Sequence, residues 1–236
     1  MGEGESAATL LSAAEPPVAA DSRLNVADRW RWTPERAIEA SFPSGASHIF
    51  FMTDGRRNPV DQVEAFKAWL SAQTAELGRI LCVIDCRLAE QNHPLIAWYD
   101  ACVHFADVVC LNHREHVANK WFSDFLKHFR GQFLPCLFET PKSGRFANPA
   151  LVLLPEARRM SLAFDEEQDW VVSETGKDAL DDGDVEDGDE DAEVVPAEDP
   201  YLARYPGGHR LKQIPDITKY LISPPQPPPQ TPLPSP

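Results

Sequence analysis

The chain has 236 residues, 37 acidic and 22 basic, for a formal net charge of −15, and 43% of it is hydrophobic. The charge is concentrated: Asp165 to Asp199 holds 17 acids against one base, Lys177, and the remainder is close to neutral. No basic face emerges to neutralise phosphates, which excludes an overall nucleic-acid binder, and no run of 18 apolar residues exists to span a membrane.

Residues 1–39 are rich in Ala, Glu and Pro and carry acids near the start, where a secretory leader would carry positive charge. They read as a flexible or loosely packed segment of a cytoplasmic protein. Trp30 and Trp32 within it are candidates to pack over a sheet edge. An α/β domain is expected over 40–164, with a mostly parallel sheet flanked by helices. It begins with the apolar run His48 to Met52, a strand ended by the turn dipeptide Asp54-Gly55. From Pro59, Val63, Phe66, Ala68, Trp69 and Leu70 recur at helical spacing, predicting a helix of about five turns that reaches Gly78.

Ile80 to Ile84 is continuously apolar, as suits a strand covered on both faces, and Asp85 closes it. A helical pattern from Pro94 through Phe105 leads into a third strand, Asp107 to Leu111. Glu115 to Phe129 then reads as an amphipathic helix closed by Gly131, and Phe133 to Phe138 as a further short strand. Repeated strand-to-helix alternation implies parallel pairing. Ala150 to Leu154 and Met160 to Phe164 are expected to add a hairpin or a final strand. An acidic linker (165–199), a short docking arm (200–222) and a Pro-rich tail (223–236) complete the chain. The linker and tail have too little apolar surface to offset their ordering entropy and are expected to be disordered. Pro225-Gln-Pro-Pro228 in the tail fits either a polyproline ligand or a plain spacer.

Ligands in parallel α/β sheets bind outside the carboxyl ends of the strands, and those ends here offer Asp54-Gly55, Asp85, Asn112 to Glu115, and Glu139. Phe50 to Pro59, Ile80 to Asp85, His104 to Asn112 and Phe133 to Glu139 occur in an order that resembles the nucleotide-binding domain of CobW-type proteins, P-loop GTPases grouped with the hydrogenase and urease nickel-insertion GTPases. The resemblance covers about Phe50 to Glu139. It is strongest at Ala106-Asp-Val-Val-Cys-Leu-Asn112, similar to the family's strand that ends in the guanine-reading motif. It implies a P-loop-GTPase-like partial domain in which Asn112, Glu115, Asp85 and Gly55 are the candidate nucleotide-binding residues, with GTP or zinc as the implied ligands.

The departures bear on activity. No G-x-x-x-x-G-K-[ST] occurs; the lone Gly176-Lys177 has Val171 where the first Gly should stand and is followed by Asp178. Met52 stands where the family carries an acid, Asn58 where it carries Asp before Pro59, and His113 and Glu115 replace the Lys and Asp of the guanine motif. The expected function is therefore a degenerate, non-hydrolysing protein-binding or regulatory module with a protein partner. The alternative is guanine-nucleotide binding or metal homeostasis alongside a partner chain that supplies the phosphate loop. Asn112 either contacts a purine or caps the helix expected at Glu115. Cys110, His113 and His116 are the candidate metal ligands, set against the reading of a buried strand thiol and two loop histidines. The five cysteines are expected as buried free thiols, and Asp54 and Asp85 as either an acid/base pair or turn and cap acids.

Overall fold

The computed structural model describes residues 8–13, 25–42, 45–165 and 198–221; the acidic linker and the Pro-rich tail lie outside the described residues for most or all of their length. The chain is mixed α/β. Strands β1 (Ala8–Ala13), β2 (Asn25–Trp32), β3 (Ile38–Glu39) and β4 (His48–Met52) form one sheet in the order β3-β2-β1-β4, with β1 parallel to both β2 and β4 and β3 antiparallel to β2. Helix α1 (Pro59–Ser71) follows. Strand β5 (Leu81–Asp85), helices α2 (Cys86–Gln91) and α3 (Ile96–His104), strand β6 (Val108–Asn112), helix α4 (Asn119–Arg130) and strand β7 (Leu137–Glu139) build a second, wholly parallel sheet, β5-β6-β7. Helix α5 (Pro149–Leu153) then lies against it. Among the described residues no helix is long and apolar enough to cross a membrane.

The second sheet carries the larger core. Ile84, Val109 and Leu111 point to the face covered by Leu95, Trp98 and Tyr99 from the α2–α3 region and by Phe125 and Phe129 from α4. Val108 and Cys110 alternate to the other face, where Val152 of α5 covers them. Buried Asp107 pins this unit together: its carboxylate accepts from the backbone N–H of Ile80 at 2.7 Å and of Arg158 at 2.6 Å, with the Arg159 guanidinium 3.4 Å away. A fully buried carboxylate is costly unless its lone pairs are filled, and here they are.

Several expectations are corrected. The segment before residue 40 is not merely loose, because three strands form in it. In β2, buried Trp30 alternates with exposed Arg31; its indole N–H donates to the Met52 carbonyl at 2.8 Å and its ring stacks on Phe51 at 5.3 Å. The helix from Pro59 stops at Ser71 rather than near Gly78. The carbonyls of Trp69 and Leu70 are taken by the N–H groups of Ala72 and Gln73, and no apolar periodicity follows to carry the helix further. The helix expected at Glu115 begins at Asn119. Before it, His113 is left-handed (φ 55°), residues Arg114–His116 make one 3-10 turn, and Val117 is extended and buried as an anchor. Phe133 is not in a strand; it has φ of 53° and is 90% exposed, so β7 shrinks to three residues. Within Ala150 to Leu154, residues 150–153 are helical rather than extended, and only Leu154, the C-cap, lies outside the helix. Asn148 accepts from the Leu151 N–H at 3.2 Å and Pro149 takes the first helical position, an N-terminal signal that outweighs the apolar run. Met160 to Phe164 forms no strand.

Residues 198–221 pack against α1 and α3. Tyr201 packs with Val60 of α1 and with Ala101 and Phe105 of the α3 region, and Ile217 enters the large core.

Candidate functional site

Asp85 and Asn112 sit opposite each other at the carboxyl ends of β5 and β6, so two of the four nucleotide-binding candidates share one edge. Asp85 is an N-cap. Its Oδ1 accepts from the N–H groups of Arg87 at 3.0 Å and Leu88 at 3.2 Å, satisfying donors at the start of α2, while Oδ2 lies 3.0 Å from Nδ1 of His113. The left-handed backbone at His113 turns its ring back over the strand end. Glu115 is turned to His116, 3.4 Å away, and Arg114 is held by the Val117 carbonyl and the Asn119 side chain, its guanidinium 4.0 Å over the Phe122 ring.

Asn112 does not cap the following helix, because His113 occupies the first cap position and Ala118 the second, the latter donating its N–H to Glu90 at 3.1 Å. The Asn112 carboxamide makes no hydrogen bond among the described residues. Gly55 lies in the turn after β4; an added Cβ there meets nothing within 4 Å, so the turn does not demand glycine for close packing. Asp54 holds that turn, accepting from the Arg56 N–H at 3.0 Å and the Arg57 guanidinium at 3.1 Å, while Gln62 from α1 bonds its backbone on both sides. Asp54 and Asp85 are thus turn and cap acids.

The metal candidates do not converge. Cys110 faces Val152 on one side of the sheet, whereas the His113 and His116 rings, with centroids 6.0 Å apart, sit beyond the strand end with carboxylate partners of their own. Among the described residues, no group of three or more His, Cys, Asp or Glu side chains could hold a metal ion. All five cysteines are free thiols, three of them buried. Burial pushes Cys86 up to about 11, with the Asp85 carboxylate adding to it, so this thiol is not activated as a nucleophile.

Sequence reasoning missed two clusters that the fold assembles from distant segments. Ser161, His104 and Asp199 have the composition of a nucleophile triad but different wiring. The Ser161 hydroxyl and His104 Nε2 both bond the same oxygen of Asp199, at 2.5 and 2.8 Å, and Ser161 is 1% exposed. Burial raises the Asp199 pKa, but hydrogen bonds from Ser161, His104 and the Tyr201 N–H outweigh it and hold the carboxyl below its ordinary value. This is a latch for the arm. In the second cluster, Arg210 reaches Asp61 of α1 at 2.7 Å and also bonds Glu64, which Arg204 contacts at 2.7 Å. The chain separations, 149 residues between Arg210 and Asp61 and 95 between His104 and Asp199, leave no local signal for either.

No protein-family model matches this chain, and no curated protein or solved structure matches it either.

Proposed function

We propose that the chain is a degenerate CobW-like, P-loop-GTPase-related domain that acts in the cytoplasm as a non-hydrolysing protein-binding or regulatory module. The observation that carries this reading is the content of the strand ends. A phosphate loop follows a strand and needs free backbone amides and a Lys. The central strand β1 is instead followed by Ala14-Glu15-Pro16-Pro17, an acid that repels phosphate and two residues without N–H groups. Beside it, β4 ends at Met52, whose thioether is no ligand for hydrated magnesium. These residues do not fit a magnesium-bound triphosphate. The test is hydrolysis and binding together. Purified chain should release phosphate from GTP no faster than buffer, and its melting temperature should not move with GTP, GDP or guanosine, with or without Mg²⁺ or Zn²⁺. Hydrolysis above buffer that is abolished by Asn112→Ala would overturn the reading.

One observation favours a second reading. Asn112 is partly exposed at a strand end with its carboxamide unengaged, as a base-reading group awaiting a ligand would be. In that reading a partner chain supplies the phosphate loop and this chain supplies Asn112 and Glu115. A mixture that binds GTP no better than either chain alone would remove it.

A further inference from the structure

Away from the β5–β6 strand ends, a cavity of about 320 Å³ opens between the start of α1 and the arm, walled in part by Arg36, Asn58, Asp61, Arg204, Arg210 and Lys212. Accounting for its donors shows what it lacks. Arg210, with its side chain 10% exposed, is fully engaged: Nε and NH2 bond Asp61 at 3.1 and 2.7 Å, NH2 also bonds Glu64, and NH1 reaches the Tyr201 carbonyl at 3.3 Å. Arg204 bonds Glu64 at 2.7 Å and the Gly208 carbonyl at 2.9 Å. Those two guanidinium groups balance the two carboxylates. Among the described residues, the remaining cations have no hydrogen-bonded carboxylate. Arg36 is 74% exposed and among the described residues comes no nearer to an acid than 3.9 Å, at Asp61, beyond hydrogen-bond range. Lys212 rests its ammonium 4.2 Å from the centre of the Tyr201 ring and meets no carboxylate among the described residues. The His209 imidazole, also on the wall, has no side-chain partner among them.

Among the described residues, four fixed cations on the wall are thus set against two paired carboxylates, Asp61 and Glu64, a local surplus of two positive charges. The first amides of α1 contribute little, because the Asn58 side chain already accepts from Val60 and Asp61. The binding groups are therefore side chains: a guanidinium fork, an ammonium and an imidazole, a set that matches a compact oxyanion of charge near −2. The volume lies at the low end of the range for small-molecule sites, about 300 to 1,000 Å³, which favours a molecule near the size of a nucleoside monophosphate over a longer ligand.

The geometry points to a binding site for a small phosphate monoester in this cavity, its phosphate held by Arg36, Lys212 and His209. The site is separate from Asn112 and Glu115 and does not depend on the GTPase resemblance. Ligand bound there would bridge the α1 side and the arm, so it would stabilise the docked arm by linkage.

The experiment uses the full chain at constant ionic strength, titrated calorimetrically and by melting temperature with adenosine 5′-monophosphate, ribose 5-phosphate, adenosine and succinate. Saturable binding of both phosphate esters, without binding of adenosine or succinate, is the expected result. Arg36→Gln with Lys212→Gln, two exposed positions with no hydrogen bond to Asp61 or Glu64 among the described residues, should leave the ligand-free melting temperature in place and weaken phosphate-ester binding at least about tenfold. If the double variant is itself destabilised, Lys212→Gln alone, which leaves Arg36 in place, should still weaken binding measurably. Absence of saturable binding, equal binding of succinate, unchanged affinity in the variants, or preference for a short Asp/Glu peptide over both esters would each overturn the assignment.

Discussion

At the ends of β5 and β6, Asp85 caps α2 and holds His113, Glu115 faces His116, and Arg114 is tied to its own turn. Where the arm meets α1, Asp61 and Glu64 are also paired, by Arg210 and Arg204, yet among the described residues Arg36, Lys212 and His209 remain without acid partners at hydrogen-bonding distance. The edge that holds the nucleotide-binding candidates is largely occupied by its own groups, while the surface without any motif has cationic donors to offer. Residue types placed at a strand end mark where a ligand could sit in a fold of this kind; whether the donors are already engaged decides whether one can bind. The two regions can be separated by substitution.

The largest effect should come from Arg210→Ala. It removes the group that bridges Asp61 and Glu64 and leaves partly buried carboxylates with only Arg204 and exposed Arg36 nearby, at a cost of about 3 kcal/mol. Urea denaturation should show a lower midpoint, and limited proteolysis should open the arm first. A midpoint within error of the parent would mean that the arm is an accessory to the fold, and the contrast with the strand-end edge would lose its structural side.

Next is Asp199, which accepts from Ser161, His104 and the Tyr201 N–H. Asp199→Ala strands the buried Ser161 hydroxyl and should cost about 2 kcal/mol. The pH dependence has a definite sign. Because the folded-state pKa is lowered, the contribution is fully present above the ordinary value of 3.8 and is lost as pH falls through the lower folded value. The parent should lose stability in that acid window, and Asp199→Asn should lose less. An identical acid profile for the two would place the acid-sensitive group elsewhere.

Asp85→Ala comes third, at about 1 kcal/mol for the lost cap of the six-residue α2. It should leave binding at the arm cavity untouched, because the two regions share no side chain. Asp85→Asn preserves an accepting oxygen and should recover most of the stability. If Asp85→Ala instead weakens phosphate-ester binding, the two regions are coupled and the comparison must be redrawn.

The regions differed equally in how far they could be read beforehand. The strands at His48–Met52, Leu81–Asp85 and Val108–Asn112 are contiguous apolar runs flanked by polar residues, so their positions are local information, correct to within a residue. Asp85 at a strand end is likewise local. The strands before residue 40 are diluted by their Ala, Glu and Pro surroundings, and the alternation of Trp30 with Arg31 is too short to stand out. The run Ala150 to Leu154 fits strand or helix equally until Asn148-Pro149 is read as a start signal. Cys110 illustrates the metal case: sequence spacing placed it three residues from His113, but strand alternation turns it toward Val152. The arm contacts could not be read at all, since charge complementarity between residues about 150 apart in the chain has no pattern until the fold closes.

The smallest effect should come from Asn112→Ala, and it is the most discriminating. The side chain forms no hydrogen bond among the described residues and is only partly buried, so its removal should change stability by less than about 0.5 kcal/mol. In the regulatory reading it changes nothing else: the chain alone is unresponsive to GTP before and after the substitution. In the partner-chain reading the same silent substitution should abolish guanine selectivity of the assembled pair, because a site that hydrogen-bonds a base edge loses discrimination when the bonding group is removed. A stability loss near 2 kcal/mol would contradict both, since it would mean that Asn112 is engaged within the fold, as Asp85 is, and the strand-end edge would then have no free group with which to read a base.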